Sequence, residues 1–116
     1  MAKKRILVEF GQGTSLRRQD YTEAARRALR DALWRNSISA AELFDFPKDA
    51  MLIDVEIGVQ APEEVDISSL ERELPYGRPH IIVRHGGLDV AKPDGRGRTI
   101  IANCAVSVSF DMEPAQ

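Results

Sequence analysis

The chain has 116 residues and a formal net charge of -2 at pH 7, with 43% hydrophobic and 29% charged residues. This length allows one domain, residues 1–116, and the composition excludes intrinsic disorder, which requires fewer apolar residues or a larger net charge. No apolar segment reaches the ~20 residues that span a bilayer, and the single cysteine excludes an internal disulfide. The single cysteine favours a reducing cytoplasm, and one cysteine with two histidines leaves little to build a zinc site. We therefore expect a cytoplasmic protein that uses no membrane, metal or cofactor.

The N-terminal third of the sequence predicts a strand followed by a helix. Apolar and polar residues alternate over Lys4–Phe10, which is typical of a strand, and Gly11–Thr14 is expected to end it. Apolar residues then recur at helical spacing over Tyr21–Asn36, with arginines on the opposite side. Asp20 and Glu23 have the spacing of a capping box and mark the start of this helix.

The rest of the chain predicts three more strands and one short helix. Alternating apolar residues indicate strands at Met51–Val59, His80–His85 and Thr99–Phe110, and a short helix is expected at Ile67–Leu74. Asp89–Arg98 contains a proline and two glycines and is predicted to be a polar loop between the last two strands. The order β-α-β-α-β-β predicts an α+β two-layer sandwich, with a four-stranded, mainly antiparallel sheet and both helices on one of its faces.

Strand alternation also predicts which residues of the sheet meet the helices. The helix-facing set comprises Ile6, Val8, Phe10, Ile53, Val55, Ile57, Ile81, Val83, Val106, Val108 and Phe110. The opposite face mixes polar residues with four large aliphatic ones, which are Leu7, Leu52, Ile82 and Ile101. Because a chain of this size has no second helical layer to cover them, we expect a homo-oligomer packed through this face or a sheet edge.

Charge is distributed unevenly along the chain. Residues 1–35 contain nine basic and four acidic side chains, and the remaining residues contain seven basic and fourteen acidic ones. The basic third could contact nucleic-acid phosphates, face an acidic surface of a neighbouring subunit, or form a solvated helix face. The pI of about 5.7 and the absence of aromatic residues among the arginines disfavour nucleic acid as a partner.

Charged residues on the predicted polar face form the first candidate site. Glu9, Glu56 and Arg84 are expected to lie half-buried at a subunit interface, where shifted proton affinities would suit acid-base chemistry or anion binding. The same residues could equally form ion pairs without chemistry. His85 precedes two glycines at the end of a strand and is a further candidate for a catalytic general base.

The segment between the first strand and the first helix is the second candidate site, a ligand-binding one. Gly11 and Gly13 would let the backbone approach a ligand, Thr14 adjoins them, and Arg17 and Arg18 carry charge for a phosphate or carboxylate. The third glycine of a dinucleotide-binding loop and the lysine of a P-loop are absent, so neither motif is predicted. Alternatively, the glycines only supply unusual backbone dihedrals.

The segment Glu9–Thr22, with its continuation to Ser37, resembles a family of small conserved hypothetical proteins that occurs in bacteria and, with an extension, in plants. That family is marked by an N-terminal Gly-x-Gly-x-Asp-x-His-Gly motif and has no assigned activity. The resemblance extends to Leu74–Gly77, to Gly86-Gly87 and to Ile101–Asn103, so it spans nearly the whole chain.

This chain departs from the family motif at three positions. Ser15 stands in place of the Asp, Arg17 in place of the His, and Arg18 in place of the last Gly. The Asp–His pair of the motif looks like a proton-transfer or metal-ligand element, and both residues are missing here. The resemblance therefore implies either a more anionic ligand bound through Arg17 and Arg18 or a non-catalytic relative that assembles with a copy retaining the motif.

Two functional hypotheses follow from the sequence. The first is a protein that binds a small anionic metabolite between the 11–18 segment and the polar sheet face, near a subunit interface, with Arg84 adding charge. The second is an assembly or regulatory subunit without an active site.

Overall fold

The computed structural model describes residues 3–16, 19–34, 52–74 and 78–111, which form a five-stranded sheet and two helices. In chain order the elements are β1 (Lys3–Ser15), α1 (Tyr21–Trp34), β2 (Leu52–Val59), α2 (Ile67–Glu71), β3 (Arg78–His85), β4 (Leu88–Ala91) and β5 (Arg98–Asp111). The predicted α+β class is confirmed. The segment predicted to be a loop between the last two strands contributes a further strand, β4, at its N-terminal end.

The sheet has the strand order β1-β5-β2-β3, and β4 pairs with the N-terminal end of β5. β5 is antiparallel to β1, β2 and β4, whereas β2 and β3 are parallel. The predicted sheet of four mainly antiparallel strands is therefore corrected to a mixed sheet of five. The parallel pair follows from the connection between β2 and β3, which carries α2 and is long enough for a crossover.

β1 does not end at Gly11–Thr14 as predicted but continues through this segment to Ser15. Gly11 and Gly13 lie flat against α1: a Cβ on Gly11 would be 2.2 Å from the carbonyl oxygen of Ala28, and one on Gly13 would be 2.3 Å from that of Ala24. The missing side chains let the strand and helix backbones touch. The two glycines thus serve close packing within a strand rather than a turn.

This packing reverses the predicted orientation of β1. Because Gly11 and Gly13 face α1, the alternation puts Val8 and Phe10 on the opposite face, and the Phe10 side chain is 67% exposed. The helix-facing assignment of Val8 and Phe10 was therefore wrong. A register shift between Arg5 and Leu7 lies in the same strand, and a shift of one residue exchanges the faces.

The other strands follow the predicted alternation. Buried residues of β2 and β5 pack against α1 and α2, with the partly buried Ile81 and Val83 of β3 at the margin. The fully covered core members from these elements include Leu29, Val55, Ile57, Leu70, Ile100, Val106 and Val108. Full burial of each such aliphatic side chain contributes roughly 1.5–3 kcal/mol, so this single layer between sheet and helices carries the stability of the fold.

The start of α1 is capped as predicted, but by half of the expected capping box. The Asp20 carboxylate accepts a hydrogen bond of 3.1 Å from the backbone N–H of Glu23. The Glu23 carboxylate does not reach back; it pairs with Arg26 and Arg27 at 2.6 and 3.0 Å. The backbone N–H of Asp20 donates instead to the Ser15 hydroxyl, 3.1 Å away.

Side chains of α1 occupy two backbone groups on the outer edge of β1. The backbone N–H of Gln12 donates to the carboxylate of Asp31 at 3.0 Å, and the guanidinium of Arg27 donates to the carbonyl oxygen of Thr14 at 2.7 Å. Backbone groups that an edge strand would leave open are thus occupied by the helix packed above it.

Neither helix among the residues that the structure describes is long and apolar enough to cross a membrane.

Candidate functional site

The sheet surface opposite α1 is called the open face here. It is formed by Val8, Phe10, Asp54, Glu56, His80, Ile82, Arg84, Leu88, Val90, Asn103, Ala105, Ser107 and Ser109. A shallow depression of about 690 Å³ lies at its centre, between Phe10 of β1 and His80 of β3. Strand pairing alone brings these residues together, since partners in register share a face.

Large apolar side chains are concentrated on the open face. Six are exposed in the described part of the chain, and four of them, Phe10, Ile82, Leu88 and Val90, lie here. Ile82 is 41% exposed at the centre of β3. Scattered apolar residues are ordinary on a protein surface, but a group on one sheet face is typical of a surface that another element covers.

Charged side chains on the open face are arranged by strand. The carboxylates belong to Asp54 and Glu56 of β2, and the basic groups belong to His80 and Arg84 of β3. Arg84 Nη1 is 3.7 Å from Glu56 Oε2, and His80 Nδ1 is 3.5 Å from Asp54 Oδ1. These long contacts lie at the surface and contribute little to stability.

The structure brings together two of the predicted acid-base residues and separates the others. Glu56 and Arg84 are neighbours on the open face. Glu9 pairs in register with buried Val106 and therefore lies on the side of α1. His85 is exposed at the end of β3 and does not line the depression. The catalytic roles of these residues stay predictions.

The predicted ligand-binding segment has a different structure from the expected loop. Gly11, Gly13 and Thr14 are strand residues, and the two glycines contact the α1 backbone. Arg17 and Arg18 lie outside the described residues, so their role in binding stays a prediction. Ser15, at the motif position of the Asp, is buried and accepts a hydrogen bond from the backbone of Asp20.

Sequence reasoning missed a polar cluster where α1 begins beside the hairpin of β4 and β5. The Tyr21 hydroxyl donates to Asp89 Oδ2, and Arg98 Nε lies 3.5 Å from the same oxygen. The backbone N–H of Arg98 donates to Gln19 Oε1 at 3.2 Å. Burial and the Asp89 carboxylate together raise the pKa of Tyr21 to about 12, so its hydroxyl stays protonated at neutral pH.

This polar cluster, the corner site, comprises Gln19, Tyr21, Asp89 and Arg98. A cavity of about 400 Å³ opens beside it, lined by Gln19, Asp89, Ala91, Gly97 and Arg98. One sequence signal pointed to it: polar Asp89 alternates with apolar Leu88 and Val90, which is a strand pattern rather than a loop pattern.

The basic face of α1 is paired within the chain. Arg26 and Arg27 contact Glu23, and Arg30 donates two hydrogen bonds of 2.8 and 2.9 Å to the carboxylate of Glu73. These hydrogen bonds and the charge of Glu73 raise the pKa of Arg30. Part of the uneven charge distribution is therefore explained by pairing between α1 and the segment after α2.

Two kinds of chemistry find no support in the described residues. They contain no group of three His, Cys, Asp or Glu side chains placed to hold a metal ion. Cys104 is buried in β5, and this burial raises the pKa of its thiol to about 12. A thiol that stays protonated is a poor nucleophile.

Comparisons with known proteins agree with this fold. A solved structure from Nostoc punctiforme, described as an FtsZ-like protein of unknown function, is 32% identical in sequence with a TM-score of 0.85. The alignment covers 97% of this chain and 99% of that one. A search of curated proteins found no significant match. The family model described as "Conserved hypothetical protein (Lin0512_fam)" matches residues 5–108, and the chain therefore belongs to this family of conserved hypothetical proteins.

Proposed function

We propose that the protein is an assembly subunit that forms homo-oligomers by packing the open face of one copy against the open face of another. The observation that carries this proposal is the group of exposed apolar side chains on that face. A second copy is the proposed occupant because the face is complementary to itself in charge and adequate in size.

The charge pattern supports a two-fold arrangement. Acidic Asp54 and Glu56 lie on β2, and basic His80 and Arg84 lie on the adjacent β3. Because the face carries both carboxylates and basic groups, a second copy related by a two-fold rotation can offer basic groups to the carboxylates of the first. Such an interface is isologous and closes after two subunits.

The size of the open face also supports a dimer. Strands of eight to fourteen residues form its central part. At about 4.8 Å between strands and about 3.3 Å per residue, the face measures roughly 20 by 30 Å. Side-chain relief adds to this area, which brings it close to the ~800 Å² per partner of a standard interface.

The oligomeric state of two isoleucine variants tests the proposal. Ile82 on the open face and Ile67 on α2 are both 41% exposed, so Ile82→Lys and Ile67→Lys form a matched pair. Light scattering of the wild type and Ile67→Lys should give at least twice the 12.9 kDa of one chain, and Ile82→Lys should give a lower mass. A wild-type mass of one chain at about 100 μM, or equal masses for both variants, would refute the proposal.

A second candidate function is binding of a small anionic ligand on the open face, between two copies. It is favoured by Arg84 and His80, which project from the same strand onto that face. A thermal-shift screen against anionic metabolites tests it, because a ligand at 100 times its Kd adds roughly 2.7 kcal/mol of stability. Arg84→Ala should abolish the shift, and a shift that persists in this variant would exclude the site.

A further inference from the structure

In the corner site, the carboxylate of Asp89 positions the guanidinium of Arg98. Arg98 Nε lies 3.5 Å from Asp89 Oδ2, and that oxygen also accepts the Tyr21 hydroxyl. The Asp89 side chain is only 14% exposed, whereas the Arg98 side chain is 53% exposed. Asp89 therefore orients the guanidinium of Arg98. The two terminal nitrogens of this guanidinium have no hydrogen-bond partner in the described part of the chain, so they are available to a ligand.

Gln19 supplies a second donor to the same cavity. Its side-chain oxygen accepts the backbone N–H of Arg98, so the orientation of the amide is fixed and its NH₂ group is left over. The Gln19 backbone has a φ of 51°, a left-handed conformation that is uncommon for residues with a side chain. A Cβ on Gly97 would lie 3.0 Å from the Gln19 amide nitrogen, so glycine at this position keeps room for that amide.

The carboxylate of the corner site contacts Tyr21 and Arg98 through one of its two oxygens. Asp89 Oδ2 accepts the Tyr21 hydroxyl and lies near Arg98, and Asp89 Oδ1 is buried without a hydrogen-bond partner among the residues that the structure describes. The cavity is lined by the donors of Arg98 and Gln19 and by the single carboxylate of Asp89, whereas the depression on the open face presents the two carboxylates of Asp54 and Glu56. With one guanidinium for its one carboxylate, the corner is less acidic than the depression.

We propose that the corner site binds a small oxyanion, a carboxylate or a phosphate, between the Arg98 guanidinium and the Gln19 side-chain amide. The N–H groups of a guanidinium match the spacing of oxyanion oxygens, an amide adds a further donor, and hydrogen bonds to a charged group are stronger than those between neutral groups. Tyr21 and Asp89 act as positioning residues for Arg98. This site is independent of the open face and of assembly through it.

Titration of the isotopically labelled full-length chain, followed by nuclear magnetic resonance, tests the proposal. Inorganic phosphate and acetate are the two probes, with sodium chloride at equal ionic strength as the reference. We expect saturable shifts at the side-chain amide of Gln19, the backbone N–H of Gly97 and the Nε–H of Arg98. Whichever probe binds more tightly identifies the class of oxyanion.

Three variants locate the binding. Arg98→Ala and Gln19→Glu should each weaken binding at least tenfold, which corresponds to about 1.4 kcal/mol. Gln19→Glu keeps an oxygen to accept the Arg98 N–H, so the fold around it is retained. Arg96→Ala removes an exposed arginine of the same hairpin that does not line the cavity, and its affinity should stay within twofold of the wild type.

Tyr21→Phe tests the positioning role separately. Without the hydroxyl, the Nε–H of Arg98 should exchange faster with solvent, and phosphate affinity should fall while the spectrum of the open face stays unchanged. Shifts that fail to saturate, equal shifts with chloride, or wild-type affinity in Arg98→Ala would overturn the proposal. None of these results depends on the oligomeric state.

Discussion

Gly13→Ala tests whether the contact between β1 and α1 has no room for a side chain. The new Cβ would lie 2.3 Å from both the Ala24 oxygen and the Ala28 nitrogen, which are backbone atoms. Ordinary contact begins at 3.4 Å, so the helix must move by about 1 Å or the strand must bend. Overpacking of this kind costs about 1–3 kcal/mol where side chains can yield. Here the obstacle is backbone, so we expect a loss of about 3 kcal/mol.

Gly95→Ala is the matched control for this prediction. Gly95 has a φ of 72° and nothing within 4 Å of the position of a Cβ, so alanine there costs only the conformational strain, about 1 kcal/mol. Urea unfolding should place Gly13→Ala about 2 kcal/mol below Gly95→Ala, and its Tm should fall by roughly 12 °C relative to the wild type. Equal stability of the two variants would show that β1 and α1 separate without cost, which would refute the packing argument.

Two further predictions concern hydrogen bonds and charge. The pKa of Tyr21 is about 12 in the folded chain against 10.0 ordinarily; the folded state therefore holds the proton longer, and the free energy of unfolding should fall as pH rises from about 10 to about 12. Tyr21→Phe should remove that part of the slope and cost about 1 kcal/mol at pH 7; a slope equal to the wild-type slope in alkaline urea titrations contradicts the assignment. Glu73→Gln, which removes the charge that pairs with Arg30 and Arg26, should lower the free energy of unfolding slightly, and less so in high salt. Glu63→Gln serves as an exposed control in the same urea titrations, and equal effects of both variants would argue against the pair.

Local patterns in the sequence were sufficient for much of the fold. Asp20 and the spacing of apolar residues placed the start of α1, and alternation placed β2, β3 and β5 with their buried faces. β4 was missed because four residues with one polar member make a weak pattern beside a segment rich in glycine and proline. The parallel pairing of β2 and β3 depends on the path of the chain between them. The alternation of apolar and polar residues gives no information about that path.

The errors around β1 and the corner site share one physical cause. Glycines such as Gly11 and Gly13 occur both in turns and in strands that contact a helix. Only the position of α1 distinguishes the two cases. Phe10 was assigned to the wrong face for the same reason. Tyr21 and Asp89 are 68 positions apart in sequence, so their contact depends on tertiary structure. The open face was predicted better, since Glu56 and Arg84 lie on strands whose alternation was correct.

The side chains that α1 places along β1 have a consequence for aggregation. While Asp31 and Arg27 occupy the backbone groups of Gln12 and Thr14, a strand from another molecule cannot pair with the edge at these two positions. A partly unfolded chain in which α1 has detached would free these positions on the outer edge of the thirteen-residue β1, and open strand edges can recruit other chains into fibrous assemblies. The helix therefore protects solubility as well as the core, and variants that loosen it are expected to precipitate before they unfold completely.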